Sequence, residues 1–144
     1  MKDKDDIRWM QRAIEQAKFG FGLTSPNPIV GAVVVKDGQI IGQGYHHKAG
    51  TPHAEPNALD DALRNAPGAV KGATLYVTLE PCLMCAGAIA HAQVKTLVFG
   101  ASDPKRGYSV YMKDGKFPSK AEIRQGVLAD ECSSLLKNFF AECR

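Results

Sequence analysis

The segment Ile29-Val-Gly-Ala-Val-Val-Val35 constrains the fold of this chain most. β-Branched side chains crowd the preceding turn of a helix but pack well on a pleated surface, so the run reads as a buried strand. Asp37-Gly38 follows directly and is a hairpin signal, which makes Gln39 to Tyr45 the returning antiparallel strand. Ile7, Met10, Ile14 and Ala17 recur at helical spacing behind Asp5 and Asp6, predicting an amphipathic first helix that ends near Gly20. Beyond the hairpin the periods alternate. His53 to Ala66 has helical character with Ala54, Ala58, Leu59 and Ala62 on one side, Ala73 to Leu79 is a third strand, and Pro81 opens a helix to about Ala92. Val94 to Gly100 is a fourth strand and residues 103–119 read as a loop flanked or occupied by Phe99, Tyr108, Tyr111 and Phe117. A short strand near Ile123 and a helix from Leu128 to Glu142 complete the order. A hairpin followed by β-α units predicts an α/β fold of three layers, α/β/α, around a mixed five-stranded sheet.

The 144 residues amount to one domain, expected to span 1–144, with no repeat, low-complexity tract or linker. A balance of 44% hydrophobic and 23% charged residues is that of a globular protein able to bury a core without disulfide staples. No stretch approaches the roughly 20 apolar residues needed to span a membrane. The net charge of +3, from 18 basic and 15 acidic residues, is too mild to argue by itself for nucleic acid. The start, Met1-Lys-Asp-Lys-Asp-Asp, leads into no apolar signal core, so a reducing cytoplasm is the expected location. There, Cys-x-x-Cys reads as a metal or redox motif rather than a structural disulfide.

Two short segments carry the chemistry: His53-Ala-Glu55 and Pro81-Cys-Leu-Met-Cys85. Each falls where a strand or turn hands over to a helix start. Cys82 and Cys85, three apart in a first turn, can direct both sulfurs to one point, and the positive end of the helix dipole favours their thiolates. His53 can add an imidazole nitrogen. One His and two Cys make three ligands, and zinc with three protein ligands keeps a position open for water. Glu55, two residues beyond His53, is close enough to exchange a proton with such a water without being a ligand. Two other classes compete. A structural zinc module needs a fourth ligand, and none of His46, His47, His91, Cys132 or Cys143 has finger-like spacing to the rest. A thioredoxin-like redox protein would have no use for His-Ala-Glu.

His-x-Glu followed by Pro-Cys-x-x-Cys is the signature of zinc nucleobase deaminases. On it the chain resembles the cytidine deaminase-like superfamily over nearly its whole length. Residues 24–59, from Thr-Ser-Pro-Asn-Pro through Thr-Pro-His-Ala-Glu, resemble the riboflavin-pathway pyrimidine deaminases. Residues 78–107, from Thr-Leu-Glu-Pro-Cys-Leu-Met-Cys through Ser-Asp-Pro-Lys-Arg-Gly, are more similar to bacterial tRNA adenosine deaminases, as is the tail from Gly126. The chain departs from both branches. The riboflavin branch carries a longer insert between its cysteines and often a fused reductase; here the spacer is Leu83-Met84. The tRNA branch has a longer loop before His-Ala-Glu, an Asn where this chain has His46, and less often a Pro at the position of Pro56.

The resemblance implies Zn²⁺ on His53, Cys82 and Cys85 and a proton-carrying Glu55. It also implies substrate contacts at Asn27, at His46 and Lys48 on the loop feeding the metal, and at Asp103. Each has a plainer reading beside it: Asn27 and Asp103 as turn formers next to proline, His46 to Lys48 as a solvated loop. His91 reads as a helix-end residue, Cys132 as a small core residue and Trp9 as packing. The implied reaction is hydrolytic removal of an exocyclic amine from a nitrogen heterocycle. The substrate leans to an aminopyrimidine nucleotide of the riboflavin-pathway type, then to adenosine in tRNA, then to guanine or another free base. A tRNA substrate would require Lys48, Lys105, Arg106, Lys113, Lys116 and Lys120 to gather on one face. The resemblance further implies a homodimer or homotetramer with sites near subunit contacts.

Overall fold

The β-branched run forms the middle of a five-stranded sheet of order β2-β1-β3-β4-β5. In the computed structural model, which describes residues 2–20, 29–47, 52–112, 114 and 116–142, the elements are α1 (Lys2–Lys18), β1 (Gly31–Lys36), β2 (Gln39–Tyr45), α2 (Ala54–Asn65), β3 (Thr74–Leu79), α3 (Leu83–Ala92), β4 (Thr96–Ala101), α4 (Tyr108–Tyr111), β5 (Glu122–Gln125) and α5 (Ala129–Glu142). β1 is antiparallel to both β2 and β3, while β3, β4 and β5 run parallel. The sheet is therefore mixed, as expected. Asp37 and Gly38 have φ of 51° and 76°, the two left-handed residues of a primed hairpin turn whose twist matches its strands.

Alternate side chains divide the core between two helix layers. Ala32, Val34, Leu75, Val77, Leu97 and Phe99 face α2 and α3, where Ala58, Ala62, Ala86 and Ile89 meet them. Val33, Val35, Tyr76 and Val98 face the other way, toward Trp9, Met10 and Ala13 of α1 and Cys132 of α5. Trp9 and Cys132 are packing residues, as read from the sequence.

Two arrangements fix where the helices carrying the chemistry begin. Gly42 and Gly44 of β2 lie against the backbone of Ala58 and Ala62, so α2 rests directly on β2 where any side chain would push it away. β2 is also an edge strand, whose outward backbone groups need partners. Three α2 side chains, one turn apart, supply them: Asn57 Nδ2 donates to Tyr45 O at 2.8 Å, Asp61 Oδ2 accepts from Gln43 N at 3.0 Å, and Asn65 Nδ2 donates to Ile41 O at 3.0 Å. This ladder sets the register of α2 along the sheet.

Some boundaries and faces differ from the sequence reading. β1 begins at Gly31, and Ile29 ahead of it is buried with Ala17 and Leu135. Pro81 precedes α3 rather than opening it, because Cys82 is the extended residue that caps it. Residues 108–111, read as loop, form a helical turn, with Tyr108 edge-on to both Phe99 and Phe117. The α1 stripe is rotated: Ile7 is 42% exposed, while Asp6 turns inward to accept hydrogen bonds from Tyr76 Oη at 2.8 Å and Arg124 Nε at 2.8 Å. His91 is exposed in the last turn of α3, and the left-handed residue that ends the helix is Gln93, with φ of 61°.

Candidate active site

The parallel strands β3 and β4 deliver their C-terminal ends to one side of the sheet, as do β2 and the start of the antiparallel β1. Two helices start there. His53 caps α2 with extended backbone (φ −71°, ψ 176°), and Cys82 caps α3 in nearly the same conformation (φ −72°, ψ 172°). Equivalent backbone at both caps turns the His53 ring and the Cys82 sulfur toward each other, and Cys85, three residues on, completes the group. His53 Nδ1 lies 3.2 Å from Cys85 Sγ and 3.8 Å from Cys82 Sγ. Among the described residues this is the one cluster of three or more His, Cys, Asp or Glu side chains whose ligand atoms all lie within 4.8 Å of one another.

The electrostatics suit a cation. Hydrogen bonding to the Cys85 side chain, then to His53, lowers the Cys82 thiol to about 3 despite its burial. The same contact acts in reverse on Cys85, which the Cys82 sulfur and burial raise. His53 is raised, first by its hydrogen bond to Cys82 and also by Glu55, against burial and the nearby Arg106. One imidazole nitrogen and two sulfurs form a borderline-soft donor set that fits zinc, and a thiol that coordinates a metal gives up its proton.

Glu55 stands in the first turn of α2 and is 3% exposed. Burial pushes its carboxyl up to about 7, while its own backbone N–H, His53 and Cys85 oppose the rise. A carboxyl balanced there can both take and return a proton at neutral pH. His53, Glu55 and Cys82 line a cavity of about 80 Å³ together with Val30, His46, Leu79, Glu80, Asp103 and Arg106. His46 is buried with its ring 5.0 Å from that of His53, roughly edge-on.

The structure thus brings together six of the eight residues singled out from the sequence. Asn27 and Lys48 lie outside the described residues. Glu80 was missed. Its signal was present, since a carboxylate directly ahead of Pro81-Cys82 at the end of a buried strand has no packing purpose, but nothing local said what it would meet. Arg106, read only as part of a basic surface, reaches the cavity rim.

Residues 3–101 match the family described as the cytidine and deoxycytidylate deaminase zinc-binding region. The chain belongs to this family. It carries a zinc-dependent hydrolytic deaminase domain. The deaminase is 39% identical over 150 residues to the riboflavin biosynthesis protein RibD of Actinobacillus pleuropneumoniae, covering 96% of this chain and 38% of that protein. It is 40% identical over 149 residues to the tRNA-specific adenosine deaminase of Bacillus subtilis, covering 96% of this chain and 91% of that one. Among solved structures, a diaminohydroxyphosphoribosylaminopyrimidine deaminase/reductase of Thermotoga maritima superimposes with a TM-score of 0.85 at 41% identity, over 97% of this chain and 41% of its own. The deaminase therefore spans about two fifths of the length of its riboflavin-pathway relatives. Among the described residues no helix is long and apolar enough to cross a membrane.

Proposed function

We propose that this domain hydrolyses the exocyclic amine of an aminopyrimidine ribonucleotide of the riboflavin-pathway type, the compound class for which its Thermotoga neighbour is named. His53, Cys82 and Cys85 hold the zinc. The metal, when bound there, supplies the Lewis acidity that makes water a nucleophile near neutral pH. Glu55 accepts the proton of the attacking water, then delivers it to the ring nitrogen beside the reacting carbon. It then carries the remaining proton of the added hydroxyl to the amine, whose C–N bond breaks to release ammonia, so a carbonyl stands where the amine was. Its burial keeps the carboxyl away from bulk water, and the first turn of α2 holds it against the ligand cluster. His46 and Asp103 contact the substrate from the cavity wall, and Asn27 and Lys48 are further substrate contacts in this reading.

The observation that carries this reading is His46: where the tRNA branch has Asn, this chain buries an imidazole in the cavity wall beside His53. The test is ammonia release from diaminohydroxyphosphoribosylaminopyrimidine beside tRNA, guanine and cytosine nucleotides, with zinc content measured on the same protein. A second reading, adenosine in tRNA, has its own support, because the chain spans 91% of the Bacillus tRNA deaminase at 40% identity and its residues 78–107 resemble that branch. Turnover of tRNA alone, with binding that falls steeply as salt rises, would choose it.

We further propose a cytoplasmic homodimer or homotetramer. Leu83 and Met84, 47% and 70% exposed at the start of α3, and Val110 and Tyr111 of the α4 region, 50% and 61% exposed, are apolar groups that a second copy would cover. Light scattering or sedimentation measures the assembly.

A further inference from the structure

Glu80 is a carboxylate that the deamination chemistry does not use, yet it is only 5% exposed and lies in the wall of the cavity. Both of its oxygens are engaged by one segment of chain. Oε1 accepts from the backbone N–H of Asp103 at 3.2 Å, while Oε2 accepts from the backbone N–H of Ser109 at 3.0 Å and from its hydroxyl at 2.6 Å. The neighbouring backbone is held too: Glu80 N donates to Ala101 O at the end of β4, Tyr108 N of the same segment donates to Pro81 O, both at 2.8 Å, and Cys82 bridges Gly107. Gly107 packs on the Glu80 carboxyl so closely that a Cβ there would strike it. From its other side the turn is held by Asp103 Oδ1, which accepts from the backbone N–H groups of Lys105 and Arg106 at 3.1 and 3.0 Å. The outcome is that Asp103 and Arg106 line the same cavity as His53 and Cys82.

We propose that Glu80 is a positioning residue for substrate binding: its buried carboxylate pins residues 103–109 so that Asp103 and Arg106 wall the cavity. A carboxylate is needed because all three of its partners are donors. An amide in its place turns an N–H toward one of them, and charge-assisted acceptance is the stronger kind. With both oxygens engaged by the 103–109 segment, Glu80 acts on substrate through that segment rather than by direct contact. The inference rests on the deaminase reading of the cavity, and its first readout is independent of that reading.

The experiment compares Glu80→Gln, Ser109→Ala and Ser109→Thr with the unaltered chain, each loaded with zinc. Amide hydrogen exchange at Asp103 and Ser109 should quicken roughly tenfold or more in Glu80→Gln and less in Ser109→Ala, and Ser109→Thr, which keeps the hydroxyl, should restore it. With diaminohydroxyphosphoribosylaminopyrimidine as the probe, KM should rise about tenfold in Glu80→Gln with kcat within about threefold and zinc content unchanged. Ser109→Ala should move KM in the same direction and Ser109→Thr should not. Unchanged exchange at 103–109 in Glu80→Gln overturns the pin. A raised KM in Glu80→Gln with none in Ser109→Ala overturns the indirect role and makes Glu80 a direct contact. Loss of zinc in step with activity reduces Glu80 to a structural support of Cys82, which also overturns it. A wild-type chain that does not turn over the probe refutes the proposed substrate, and the exchange measurement then decides the pin alone.

Discussion

Replacing Glu55 by Gln separates catalysis from metal binding and from folding. The amide has nearly the shape of the acid, so it fits the same buried site and can keep a hydrogen bond to Cys85. It cannot carry a proton between water, ring nitrogen and leaving amine. A positioned general acid–base contributes about 10²–10⁴-fold, or about 3–5 kcal/mol of barrier at 1.36 kcal/mol per tenfold. The upper end is expected, because Glu55 serves every transfer. Zinc should stay at about one per chain, since the three ligand side chains are untouched. Stability should be unchanged or slightly higher: a carboxyl that burial pushes up to about 7 is a group the folded chain ionises at a cost, and the amide has no charge to bury. His53→Ala is the contrasting case, in which the metal is lost or weakened and melting temperature falls with it. The assay measures zinc content, melting temperature and ammonia release on both variants side by side. Glu55→Gln protein with near-normal turnover would refute the reasoning, and so would loss of its zinc, which would make Glu55 a ligand.

Four further outcomes follow from the packing and the metal site. Asp6→Ala should lower stability by about 1–3 kcal/mol, read from urea melts, because the Tyr76 hydroxyl and the Nε and Nη2 of Arg124 lose their acceptor, while Glu122 still pairs with Arg124 Nη1. Tyr76→Phe should cost only about 1 kcal/mol in the same melts, since Asp6 keeps Arg124. Gly31→Ala should be destabilising by about 1–3 kcal/mol or fail to fold, as its Cβ would meet the backbone of Ala13 and Ala17 where α1 crosses β1. Removing zinc with a chelator should abolish ammonia release and lower the melting temperature, and adding zinc back should restore both.

What the sequence determined by itself is what spacing along the chain can encode. The β-branched run, Asp37-Gly38 and the alternation of periods placed the five strands and the four long helices to within a few residues, because those signals arise from steric preferences of neighbours. The three-membered ligand group was legible for the same reason: Cys82 and Cys85 share one turn of α3, and His53 and Glu55 share the start of α2. Only the tertiary structure decided what these local pieces meet. Asp6 joins Tyr76 and Arg124 across 70 and 118 residues of sequence, which turned the α1 stripe away from the one its apolar spacing suggested. Tyr108 became helical through its packing between Phe99 and Phe117. Asn57, Asp61 and Asn65 have ordinary solvent-facing spacing, and Glu80 stands out as a carboxylate after a buried strand but without visible partners, until β2 and the 103–109 segment are brought against them. A donor finds its acceptor at such distances through sheet order and helix register, and neither leaves a periodic mark on the chain.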